Sequence, residues 1–74
     1  MKPDLTKKAI AANIEAMREL LMGTVIRVSE AFQAIRSGEQ NQAIGTILDL
    51  DRDLEDALAL CRAAVALHRA GRAP

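Results

Sequence analysis

A single helix-breaking segment, Arg36-Ser37-Gly38-Glu39-Gln40-Asn41, divides this chain into two stretches that each carry helical periodicity. Gly38 supplies the positive-φ geometry that commonly ends a helix. Ser37 and Gln40 have the spacing of a capping box, and Asn41 is a second candidate N-cap. The pattern predicts one long helix over about residues 4–36, a turn at 37–40, a second helix over about 41–70 and a frayed tail at 71–74. Each helix of about 30 residues is some 45 Å long. The fold class that follows is all-α: an antiparallel helical hairpin of two long helices, forming one domain over 1–74.

Pro3 and Asp4 read as the first helix start. Apolar side chains then recur at Ile10, Ile14, Met17, Leu21, Val25, Val28, Phe32 and Ile35. Steps of three and four throughout are what one face of a 3.6-residue helix requires. Gly23 interrupts this run next to the strand-favouring Thr24-Val25-Ile26, so a kink or break at Gly23 is the main structural alternative. Off the stripe, Met22 and Ile26 project toward Glu15, Glu19 and Glu30. Ala9, Ala12, Ala16, Gly23 and Ala34 form a strip of small residues that another backbone could approach closely.

In the second helix Ile44, Ile47, Leu54, Leu58, Cys61, Val65 and His68 make a comparable face if Asp51 is counted within it. Leu50, Ala57 and Ala64 widen it on one side, and Leu60 with Leu67 form a separate patch. Asp51 in a seam must be paired or hydrated. Folding at Gly38 sets residue n opposite roughly 77 − n, which brings Asp51 near Arg27. An Asp51–Arg27 ion pair, within or between chains, is therefore expected to fix helix register.

The chemistry-bearing residues fit no familiar site. Asp49-x-Asp51-x-Asp53 imitates the opening of a calcium loop, but Leu54 stands where that loop needs glycine and Leu60 where it needs glutamate. Glu15 with Glu19, and Asp49 with Asp53, have the spacing of bundle metal ligands, yet the hairpin separates the two pairs and no Glu-x-x-His partner exists. Cys61 and His68 share a face but stand roughly 10 Å apart along it. There is one histidine in the chain, with no plausible Ser-His-Asp set and no glycine-rich phosphate loop. No catalytic, metal or cofactor residues are assigned.

Ten basic and ten acidic residues cancel, which argues against a general nucleic-acid or anionic-membrane binder. No signal peptide is read at Met1-Lys2-Pro3-Asp4, and the longest apolar run, Leu20 to Ile26, is too short to span a bilayer. One free cysteine fits a reducing compartment, so a cytoplasmic location is expected.

Two such helices packed only on each other leave Leu20, Met22, Ile26, Leu60 and Leu67 in water, and a second hairpin would cover most of them. The expectation is a homodimer forming a four-helix bundle, with Met22, Ile26, Leu60 and Leu67 contacting either a second copy or another protein. In layout alone this resembles the plasmid copy-number RNA-binding hairpin dimer; no functional residue pattern matches, and layout does not carry function. The leading reading is a small non-enzymatic interaction or regulatory module. The alternatives are a nucleic-acid-associated bundle using Lys7, Lys8, Arg62, Arg69 and Arg72, and a carboxylate metal-dependent enzyme.

Overall fold

The computed structural model describes residues 3–72. They form α1 (Pro3–Arg36), α2 (Gln40–Ile47) and α3 (Leu50–Arg72). The last two return alongside α1 as one bent arm, giving an all-helical hairpin with axial extents of 57 × 15 × 12 Å. Asp4 lies in the first turn of α1 and Arg36 in its last, each at the helix end whose partial charge it complements.

Gly38 makes the reversal, at φ 81°. Gly38 N–H donates to the Ile35 carbonyl at 3.1 Å and Glu39 N–H to the Ala34 carbonyl at 2.9 Å. This double closure is a Schellman motif, which satisfies carbonyls that the helix end leaves open. The capping box expected from Ser37 and Gln40 is not used. Glu39 is the N-cap of α2, without a side-chain cap bond, and Asn41 lies inside the helix.

One expected boundary changes, in the returning arm. Helix α1 runs unbroken through Gly23, whereas the second helix, expected as continuous over 41–70, is interrupted at Leu48–Asp49. A Gly-Thr pair stands at each place, Gly23-Thr24 within α1 and Gly45-Thr46 just before the interruption. Thr24 Oγ1 donates to the Leu20 carbonyl at 2.9 Å and Thr46 Oγ1 to the Gln42 carbonyl at 2.8 Å, a back-bond that bends helices. Thr24 is 9% exposed, held against the opposing arm; Thr46 is only half-buried, in an eight-residue helix. The interruption is a bend and not a reversal, because Leu48 keeps right-handed helical angles and donates its N–H to the Ile44 carbonyl. At the far end Gly71 and Arg72 continue α3, and the rest of the expected tail lies outside the described residues.

The seam between the arms is built from small side chains. Its buried members are Thr24, Ala31, Ala34, Ala43, Leu50, Ala57 and Ala64. Leu20, Leu60 and Leu67 flank them half-buried, as do Ala9, Ala16 and Asp53. The two large-residue stripes expected to meet there do not. Apart from the half-buried Ile10 and Met17, every member of both stripes is exposed. Alanine wins the seam because it lets the two backbones approach closely at almost no side-chain entropy cost. The strip of small residues is thus partly the intrachain contact: Ala9, Ala16 and Ala34 take part, while Ala12 and Gly23 face outward.

Candidate functional site

The displaced apolar stripes converge on one side of the hairpin. On α1 the stripe centres roughly 80° round the helix from the seam, and on α3 it is offset by about the same angle in the same sequence sense. Because the arms are antiparallel, equal offsets bring both stripes to the same face. Two local arrangements agree. At the open end Pro3, Lys7 and Ile10 of α1 line a shared cleft with His68, Gly71 and Arg72 of α3, on the stripe side. On the opposite side, near the turn, the cleft is polar and lined by Glu30, Gln33, Ser37, Glu39 and Gln42.

The apolar face is large. Val25 is 64% exposed, Phe32 57% and Leu58 47%. Ile14, Leu21, Val28, Ile35, Ile44, Ile47, Leu54 and Val65 are also exposed along it. On α1 a purely apolar hollow lies among Ile14, Met17, Leu21, Met22 and Val25, with the Arg18 stem along its edge. The Arg36 guanidinium sits 5.5 Å from the centroid of the Phe32 ring, a cation–π distance.

The expected interface quartet separates. Met22 and Ile26 are exposed, Met22 at the margin of the apolar face and Ile26 beyond it; Leu60 and Leu67 are half-buried beside the intrachain seam. Sequence reading gave the large stripes to the seam, and the structure leaves them exposed. The available signal was the run of alanines at seam spacing on both arms.

The register pair is also corrected. Within the chain the partner of Arg27 is Asp53, not Asp51: Arg27 Nη1 donates to Asp53 Oδ2 at 3.0 Å. Thr6 and Gly71 meet at the open end as 77 − n requires, so Arg27 reaches about one turn along the seam to Asp53, and Asp51 is exposed on the apolar-face side of α3. The Arg27–Asp53 pair lies on the polar side of the seam. Use of Asp53 there leaves Asp49 without it as a ligand partner. Among the described residues, no three His, Cys, Asp or Glu side chains gather into a metal-binding group.

All five residues of the basic set are exposed. Lys7 and Arg72 flank the open-end cleft together with His68. Arg62 and Arg69 stand on the outer rim of α3, and Lys8 turns toward the polar side, so the five do not form one patch. Cys61 is a free, exposed thiol on the apolar face. Among the described residues no helix is long and apolar enough to cross a membrane. Compared with protein-family models, curated proteins and solved structures, the chain matches none.

Proposed function

We propose that this chain is a non-enzymatic helical interaction module that works as a homodimer, two hairpins closing face to face into a four-helix bundle. The observation that carries this reading is the continuous apolar face shared by α1 and the returning arm. A compact chain of 8.0 kDa exposes about 4,500 Å², and this one exposes 5971 Å². Such an excess is the signature of an element whose core is completed elsewhere. A face 57 Å long and about 20 Å wide, two helix diameters, offers roughly 1,100 Å² per chain. Two such faces together fall in the size class of obligate dimers, whose interfaces resemble a domain core cut in half. The free cysteine supports a reducing, cytoplasmic setting for the assembly.

Light scattering on the purified chain tests the proposal. The expected mass is twice the 8.0 kDa of one chain; a cooperatively folded particle with the mass of one chain overturns it.

A nucleic-acid role has one specific observation in its favour, the open-end cleft where Lys7, His68 and Arg72 surround an apolar floor. Its test is a mobility shift that weakens steeply with salt.

A further inference from the structure

We propose that the open-end cleft between α1 and α3 is a binding site for a phosphate monoester joined to a small apolar body. Every residue of the cleft comes from one chain, so the proposal rests neither on self-association nor on a nucleic-acid role.

The cleft has a volume of about 360 Å³, at the lower end of the range of small-ligand pockets. Two helices build it. Thr6 stands beside Gly71, where a Cβ added to the glycine would lie 3.5 Å from the Thr6 methyl. That approach sets the register of the open end at roughly 77 − n, which puts Lys7 level with Ala70, midway between His68 and Arg72. His68 and Arg72 are one turn apart on α3 and share a face. Three nitrogen-bearing side chains from two helices therefore surround one opening. Its floor is apolar, made by Pro3, Ile10 and the backbone of α3 at Gly71, which brings no side chain of its own.

The charge at this opening is one-sided. Among the described residues no acidic side chain lines the cleft, and neither Lys7 nor Arg72 has an ion-pair partner. Both are exposed, as is His68, so their nitrogens are open to a ligand arriving from solvent.

Two permanent cations beside a third donor match one kind of anion. A phosphate monoester carries a charge of roughly −1.5 to −2 near neutral pH and presents three acceptor oxygens. Arg72 can offer it two parallel N–H groups, Lys7 a point charge and His68 a ring N–H. A carboxylate would leave one cation uncompensated. The phosphate diesters of a nucleic acid carry one charge each and call for a track of cations. No such track continues from the cleft, because Arg62 and Arg69 stand on the outer rim of α3 and Lys8 turns to the polar side. The apolar floor favours a ring or short chain attached to the phosphate, since inorganic phosphate would leave that floor wet.

Amide shifts of the isotope-labelled chain, followed at constant ionic strength with phenyl phosphate and with inorganic phosphate, test the site. Phenyl phosphate is expected to saturate, with shifts confined to residues 3–10 and 68–72. It should bind about tenfold more tightly than inorganic phosphate, as partial burial of one ring implies. Lys7→Gln and Arg72→Gln each weaken phenyl phosphate about tenfold, whereas Lys8→Gln, at the same end of the hairpin, leaves it unchanged. Equal binding of the two phosphates, an equal loss in Lys8→Gln, shifts along Val25, Phe32 and Leu58 in place of the cleft, or no saturation at all each overturns the proposal. Vesicles of phosphatidylcholine with and without phosphatidic acid separate two sources of the same ligand chemistry. Lys7-dependent sedimentation with the phosphatidic acid vesicles assigns the phosphate to a lipid surface, and saturation by phenyl phosphate without sedimentation assigns it to a soluble ester. A single-stranded oligonucleotide that binds more tightly than phenyl phosphate, with shifts spreading to Lys8 and Arg62, overturns the proposal in favour of nucleic acid.

Discussion

At Gly38 the backbone sits at φ 81° with open space around the missing Cβ, so conformation alone opposes a side chain there. Gly38→Ala is expected to lower stability by about 1 kcal/mol, and Gly38→Asn by less, since asparagine tolerates left-handed geometry. Urea midpoints at one fixed protein concentration measure both. The Arg27–Asp53 pair contributes little energy by comparison. With its side chains 45% and 28% exposed, a double-mutant cycle should give a coupling below about 1 kcal/mol. The matching Arg27–Asp51 cycle should give none within one hairpin. The sequence located a register pair on the correct arm and with the correct arginine. It missed the acid by two positions, because two residues along a helix is slightly more than half a turn and moves a side chain from one side of the seam to the other.

At the scale of elements, helix identity and the site of reversal were legible, for local reasons. Apolar spacing and the Gly38 stop signal act within a few residues of themselves. Which face of each helix meets the other was not legible from the size of the side chains. Leu21, Val25 and Phe32 promise the most burial, yet Ala31, Ala34 and Ala57 take the intrachain seam. Periodicity defines a stripe but carries no statement about which neighbour covers it. The bend at Leu48–Asp49 was hidden for a related reason, since Gly23-Thr24 and Gly45-Thr46 are the same dipeptide and only the packing around them differs. Glycine at position 23 is therefore a removable weakness. A Cβ there meets nothing within 4 Å, so Gly23→Ala should stabilise α1 by about 1 kcal/mol. A rise in the thermal midpoint, with unchanged mass, is the expected readout.

For the whole molecule, the radius of gyration of 16.9 Å far exceeds the roughly 11 Å of a compact chain of this length. An isolated hairpin of these proportions has little interior, and its proposed self-association would supply the remainder. Val25 separates the two situations sharply. At 64% exposure in the single hairpin, Val25→Glu is a surface change expected to shift stability by no more than about 0.5 kcal/mol. In a paired bundle the same glutamate enters an apolar layer twice. The expected outcome is loss of the dimer, seen as a halved mass by light scattering, together with reduced helicity. The thermal midpoint of the native chain should rise with protein concentration, as mass action requires when folding and association are linked.

The alanines next to the turn have a consequence for the order of folding events. Ala31, Ala34 and Ala43 form a contiguous buried cluster that straddles Gly38, so it is assembled from residues very close in sequence. Closing a loop this short costs little chain entropy compared with bringing together Thr6 and Gly71 at the open end. The hairpin is thus arranged to zip from its turn outward, a local route of the kind that makes helical proteins fast folders. Meeting a second chain would be a separate, bimolecular step. Dilution should then slow the final phase of refolding while leaving the early growth of helix signal unchanged.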